Sequence, residues 1–332
     1  MKNRIKFLDI AKGIAILAII AGHTGPDWVK QFVFTFHVPV FFIISGYFLK
    51  EGNDVVFVKK KLKQLLTPYV FGCCGIVLGN IIKGMVYKQS IDQLLHIAKT
   101  WILASLYGSG TIEYSGLFYA RRIGALWFLP ALFFAMIIVQ YSIKKPYGYL
   151  YIIICSYVGY KTTNMFWLPL SIQAGMFASI FVYIGYMAKK QAIFSKDISW
   201  ATVGGGAFSI WIICIFYGGK FYLVRNYCGN GMLDILGGIT GSYVIFLTCR
   251  FVEQHMEKMA VMLTFFGCNS LVALCIHTFD LDVISWESII LFGKQTLRIS
   301  ENGVLYILLA CRLIIYSVII AGANKIALYK RK

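Results

Sequence analysis

The sequence predicts an all-α fold, a polytopic transmembrane bundle of about ten spans with both termini in the cytoplasm. Three observations predict it. Of the 332 residues, 59% are apolar and only 14% are charged, and the mean hydropathy is +0.72, a balance typical of a membrane protein rather than a soluble one. The apolar residues run in stretches close to the length that crosses a bilayer. The basic residues gather in short clusters between those stretches, as in cytoplasmic loops. The net charge of +18 forms no stripe along a soluble domain, which argues against nucleic acid as a partner and for the lipid bilayer.

In chain order the spans are 8–25, 33–49, 66–87, 124–142, 147–161, 168–188, 198–217, 233–252, 261–279 and 302–324, of which 147–161 is the shortest. Between the third and fourth, 91–107 has apolar residues at helical spacing interrupted by Asp92, His96 and Lys99. It is expected to lie on the membrane surface or to pack across the bundle. With the N-terminus inside, nineteen Lys and Arg fall on the inner side and eleven on the outer, with the dense clusters Lys59-Lys60-Lys61, Lys144-Lys145 and Lys189-Lys190 in short inner loops. That sets the orientation as N-in and C-in. Gly175 with Ser179, Gly204 to Gly206, and Gly237 with Gly241 are small residues at the spacing of close helix contacts.

Residues 1–332 read as one transmembrane domain with no attached soluble domain. The basic N-terminus precedes an apolar run that contains Asp9 and Lys12 and lacks a small-residue cleavage site, so it reads as a retained first helix rather than a signal peptide. The nine cysteines suggest no disulfide framework and no metal-ligand pattern: all but Cys228 fall in or near apolar spans, where Cys acts as a small hydrophobe. No nucleotide-binding glycine motif occurs.

The stretch from Arg4 to Tyr47 organises the chain. It holds two apolar segments, yet carries Asp9, Lys12, His23 and His37. Ionisable groups in hydrocarbon are costly, so a span that keeps them usually uses them. Lys12 and His23 are eleven residues apart, three turns, so they share a face at depths differing by roughly 16 Å. Asp9 and Lys12 are i,i+3 neighbours able to neutralise each other. On this topology His23 ends the first helix at the outer side, His37 opens the second there, and His277 ends the ninth there. Three of the five histidines therefore converge on one depth from three helices.

The same residues resemble the acyltransferase-3 family of multi-spanning membrane acyltransferases. Arg4, Asp9, Lys12, Gly13, Ala15 and His23 follow the family's first-helix pattern, with Lys12 where many members have Arg, a point charge in place of a planar fork. The Phe36–Phe48 run FHVPVFFIISGYF is similar to its second helix. Ala125 to Leu129, with Trp127, resembles the Leu-Trp-Phe-Leu element, and Gly267, Asn269, Ser270, Leu271 and His277 resemble the late Gly-x-Asn-Ser-Leu…His element. The pattern resembles most the fucose 4-O-acetylase-like branch. The resemblance implies an O-acyltransferase, most simply an O-acetyltransferase, in the plasma or inner membrane. It implies cytoplasmic acetyl-CoA or another acyl-CoA as donor substrate, no bound cofactor, and a hydroxyl of a cell-envelope glycan or lipid-linked sugar as acceptor.

His23 is the expected general base, since a histidine titrates near operating pH and can take the proton of an attacking hydroxyl. The plainer alternative is a histidine bonded to a backbone carbonyl. His37 either assists or ties down backbone freed by Pro39. Lys12 and Arg312 are expected deeper, toward the middle and inner half; they either form a charge network with Asp9 that joins the first and last helices or steer the donor. Arg121 and Arg122 either anchor the interface or contact an anionic or sugar acceptor. Trp127, Asn269, Ser270 and His277 complete the substrate-binding set by resemblance. His96 and His255 read as solvated. No His-x3-His or carboxylate partner has first-shell zinc spacing. The competing reading is a transporter or exporter of a hydroxylated solute or polysaccharide, which intramembrane charge also fits; no internal repeat supports it. A third is a scaffold in envelope-polymer assembly.

Overall fold

The computed structural model describes residues 4–115, 118–195, 203–217, 221–296 and 298–329. Its architecture is a helical bundle. The helices that position the site are α1 (Lys6–Thr24), α2 (Asp27–Phe34), α3 (His37–Tyr47), α4 (Asp54–Lys61), α5 (Thr67–Val86), α6 (Ile91–Tyr107), α7 (Phe128–Ser142), α8 (Gly148–Thr162) and α9 (Ile172–Lys190). They are followed by α10 (Gly205–Tyr217), α11 (Met232–His255), α12 (Glu257–Cys268), α13 (Ser270–Val283), α14 (Glu287–Gln295) and α15 (Glu301–Tyr329). Two small antiparallel hairpins join them: β1 (Glu113–Ser115) with β2 (Phe118–Ala120), and β3 (Phe221–Tyr222) with β4 (Tyr227–Cys228).

Among the described residues seven helices are long and apolar enough to cross a membrane, and a bent pair makes up to eight. The fifth and seventh expected spans fall on shorter helices: α8 has 15 residues and α10 has 13 described ones, the start of the expected span 198–217 lying outside the described residues. Two further expectations are corrected in detail. The second span starts at Asp27 rather than 33 and breaks at Thr35–Phe36, two residues that leave α2 and α3 as separate helices. The expected 261–279 span is two helices, α12 and α13, bent by 69°. At that break Asn269 leaves helical geometry and its amide donates to the Phe265 carbonyl at 2.8 Å, satisfying one of the orphan acceptors of a helix end. A continuous apolar run hides such a break, because hydropathy does not register backbone direction.

The 91–107 segment is α6, which packs along α5 and begins in a capping box made by Ser90 and Gln93, a reciprocal pair that satisfies two orphan N–H groups. Lipid tails are as apolar as Leu, so helices associate by close packing. Two seams show how far that goes. A Cβ on Gly13 would lie 2.0 Å from the Leu263 carbonyl oxygen, and one on Gly267 would lie 1.8 Å from that of Asp9, so α1 and α12 meet backbone to backbone. On the α3–α9 seam Gly46 faces the Val182 oxygen at 1.8 Å and Gly185 faces that of Ile43 at 1.9 Å by the same measure. Gly237 and Gly241 pack on Cys214 and Trp211, joining α11 to α10, whereas Gly206 has open space around it. The outer helices turn large apolar side chains outward, with Phe71, Phe216 and Ile314 all exposed, as a lipid-facing surface requires.

Candidate active site

The last turn of α1, the α2–α3 turn, the start of α7, the residues just after α8 and the last turns of α13 come together under the β3–β4 hairpin. Between them is a cavity of about 810 Å³, walled by the last turn of α1, the α2–α3 turn, the segment leading into α7, the middle and end of α13, and the β3–β4 hairpin. That is within the size of small-molecule sites.

His23 and His37 both line it. His23 Nδ1 donates to the Ile19 carbonyl at 2.8 Å, and His37 Nδ1 donates to the Val33 carbonyl at 2.7 Å. A carbonyl can only accept, so each Nδ1 carries the proton and each neutral ring keeps a lone pair on Nε2. For His23 the plainer reading, a bond to a backbone carbonyl, is met by one nitrogen while the other stays available for chemistry; His37 also bonds a carbonyl, but that of Val33 rather than that of Thr35, which Pro39 leaves without its helical donor. The His37 bond holds the last turn of α2 where the helix breaks ahead of Pro39. His23 is exposed into the cavity, whereas His37 is buried. Phe34 sits between them, its ring centroid 5.9 Å from that of His23 and 4.7 Å from that of His37.

His277 completes the group, edge-on to His23 with centroids 5.4 Å apart. It is fully buried and stands at the head of a polar line. The Tyr316 hydroxyl donates to Asp280 Oδ2 at 2.7 Å, so its oxygen accepts from His277 Nδ1 at 3.2 Å. His277 Nε2 then has no hydrogen-bond partner among the described residues. Asp280 is also paired with Arg312 Nε at 2.7 Å and accepts from Trp286 Nε1 at 2.8 Å. Arg312 donates to Thr24 Oγ1 at 2.7 Å. The Asp280–Arg312 pair is about 95% buried on both sides, at 5% side-chain exposure each, and ties α1, α13 and α15 together at the level of the histidines.

This placement differs from the expected one for Arg312, which put it deeper, in a network with Asp9. Asp9 lies at the other end of α1, in ion pairs with Lys12 Nζ at 2.6 Å and Arg4 Nε at 3.1 Å. Asp9 and Lys12 are not brought to the cavity. Neither are Asn269 and Ser270, which form the α12–α13 break. Trp127 does line the cavity. The two neighbouring arginines part: the Arg121 guanidinium lies 4.5 Å over the Trp101 ring, whereas Arg122 lines the cavity.

Lys30 and Asp282 also line it, and sequence reasoning missed both. Asp282 had a legible signal: with Asp280 it puts two carboxylates in the last turns of an apolar helix, where charge marks a site. Lys30 had none, because its place follows from the α2–α3 break. Asp282 faces Gly124, which has φ +56 and whose Cβ would lie 2.5 Å from Asp282 Oδ2; a residue with a side chain would be strained there and would strike the carboxylate. Among the described residues no group of three or more His, Cys, Asp or Glu could hold a metal ion.

A model of the acyltransferase domain of the acyltransferase-3 family matches residues 5–323. The chain belongs to the acyltransferase-3 family. Comparison with curated proteins and with solved structures gives no match. With seven or eight helices able to span a bilayer, this acyltransferase-3 protein is a multi-pass membrane acyltransferase. Its matched region takes in both the histidine cavity and the Asp9–Lys12 end.

Proposed function

We propose that the protein is an O-acyltransferase, most simply an O-acetyltransferase. It would move an acyl group from a cytoplasmic acyl-CoA to a hydroxyl of a cell-envelope glycan or lipid-linked sugar, in the manner of the fucose 4-O-acetylase-like branch, from the plasma or inner membrane. The observation that carries this reading is His23: its Nδ1 is occupied by the Ile19 carbonyl while its ring is open to a ligand-sized cavity. In this reading Nε2 takes the proton of the acceptor hydroxyl as that oxygen attacks the acyl carbonyl. The tetrahedral intermediate then collapses, the carbon–sulfur bond breaks, and the proton passes from His23 to the leaving thiolate. His37 and His277 flank the base and orient it. With ten spans, N-in and C-in, the cavity faces outward and the Asp9–Lys12 end faces the cytoplasm. Lys12 then attracts the donor on the cytoplasmic side, and its acyl-pantetheine arm reaches across the bundle so that the thioester meets the acceptor at His23.

The test uses inside-out vesicles and acetyl-CoA labelled in the acetyl group, following alkali-labile label into lipid-linked or polymeric sugar. His23→Ala in correctly inserted protein is expected to lower transfer by roughly 10²- to 10⁴-fold, the usual contribution of a general base. Undiminished transfer in that variant removes the assignment, and sugar accumulation without any acyl-CoA turns the reading to transport.

A further inference from the structure

Four charged side chains line the cavity, Lys30, Arg122, Arg225 and Asp282; Arg225 has interactions of its own, and the other three take no part in the histidine chemistry. Lys30 Nζ rests 5.7 Å from the Phe34 ring centroid and 5.9 Å from that of Tyr222, held by aromatic faces rather than by a carboxylate. Arg122 is exposed and, like Lys30, is in no ion pair with any described residue. Asp282 has a buried oxygen, Oδ2, with no hydrogen-bond partner among the described residues. A buried polar atom left unsatisfied costs free energy, and its persistence in a cavity marks a place that a ligand fills.

The two kinds of group demand different things. A carboxylate oxygen accepts hydrogen bonds, so Asp282 calls for O–H or N–H donors. Lys30 and Arg122 only donate, and in a cavity with apolar and aromatic walls their field concentrates anions. A neutral sugar would satisfy Asp282 but leave Lys30 without an anion and Arg122 with only the field of Asp282. A bare phosphate would satisfy the cations and be repelled by Asp282. A ligand that answers both carries hydroxyls at one place and a negative charge at another, with sugar faces to set against Trp127 and Tyr222.

We infer that the acceptor is an acidic saccharide: Asp282 takes its hydroxyl donors, and Lys30 with Arg122 holds its carboxylate or phosphate. This rests on the O-acyltransferase reading and narrows it. Asp282 is then a specificity-determining residue, and Gly124 keeps the space in front of it.

The experiment is calorimetric titration of the purified full-length protein in lipid nanodiscs, without acyl donor, using glucose, glucuronic acid, glucose 1-phosphate and inorganic phosphate as probes. Glucuronic acid, glucose 1-phosphate or both should bind about tenfold or more tighter than glucose, as charge-assisted bonds do against neutral ones; which of the two wins identifies the anionic group. Lys30→Gln and Arg122→Gln should each remove most of that advantage and leave glucose unchanged. Asp282→Asn should weaken the hydroxyl-dependent binding of glucose and tighten inorganic phosphate, which no longer meets a like charge. On the wild type, added salt should weaken the acidic sugars only, a readout that needs no variant. The inference is overturned if glucose binds within twofold of both acidic sugars, if inorganic phosphate binds as tightly as glucose 1-phosphate, or if none of the sugars binds at millimolar concentration. Because no acyl-CoA is present, loss of selectivity with intact labelled-acetyl transfer sinks this inference alone. Selective binding with no His23-dependent transfer sinks the acyltransferase reading instead.

Discussion

At the scale of single residues, the sequence shows which side chains have chemistry to offer but not which partners occupy them. Arg121 and Arg122 are adjacent and chemically identical, yet one stacks on Trp101 and the other reaches the cavity. Sequence alone treats them as a pair. Arg121→Ala should therefore leave ligand binding within about twofold of wild type, whereas Arg122→Ala should weaken an anionic ligand on the order of tenfold, the range of a charge-assisted bond; titration of both variants side by side checks this. His23 is the opposite case. Counting 1.5 Å per residue along one helix puts it three turns past Lys12, and the structure has it in the last turn of α1, lining the cavity. What counting could not give was the tautomer, which depends on a carbonyl four residues earlier in the same helix.

Element by element, the ends of helices were harder to read than their middles. Arg312 sits about eleven residues into α15, so it was read as deep; yet it meets Thr24 at the last residue of α1 and Asp280 near the end of α13. The 29-residue α15 extends past those helices, and the depth of a residue cannot be taken from the start of an over-long span. The Asp280–Arg312 pair that results is closed to water. Removing one partner leaves an uncompensated buried charge, so Arg312→Met should lower stability by about 3–5 kcal/mol, with the double replacement Asp280→Asn and Arg312→Met recovering part of the loss. Thermal unfolding of the wild type and the two variants in detergent measures both. On the α3–α9 seam, Gly46→Ala places a methyl carbon 1.8 Å from a backbone oxygen, which only a shift of two helices can relieve. A loss of about 1–3 kcal/mol or more follows, visible as a lower yield of monodisperse protein.

For the whole molecule, the arrangement predicts which surfaces each aqueous side can reach. On the proposed topology, with an even number of spans and both termini inside, the β3–β4 hairpin lies outside. Tyr227 is 54% exposed there, while its neighbour Cys228 is buried, and burial beside the Asp234 carboxylate pushes its thiol up to about 12, where it stays protonated and unreactive. In Tyr227→Cys protein, a membrane-impermeant maleimide added to right-side-out cells should label position 227, and a cysteine placed at exposed Lys59 should stay unlabelled until the membrane is broken. Labelling in the reverse order inverts the topology. The chain's overall character, apolar spans with charges confined to a few of them, was legible from composition. The break at Asn269 and the hairpin roof were not, because neither changes the hydropathy of the run that contains it.

The glycine seams also shape what this gene can vary. At Gly13, Gly46, Gly185 and Gly267 the obstructing atoms belong to a neighbouring backbone, so no compensating rotamer exists and every missense change there meets the same obstacle. Cavity residues such as Lys30 and Arg122 face open space and can drift without unfolding the protein. Two selections applied to one library of variants, one for protein that reaches the membrane intact and one for acyl transfer, should therefore return nested sets of intolerant positions: the seams in both, and the cavity added only in the second. Natural diversification of the substrate would then accumulate on the cavity wall while the glycines stay still.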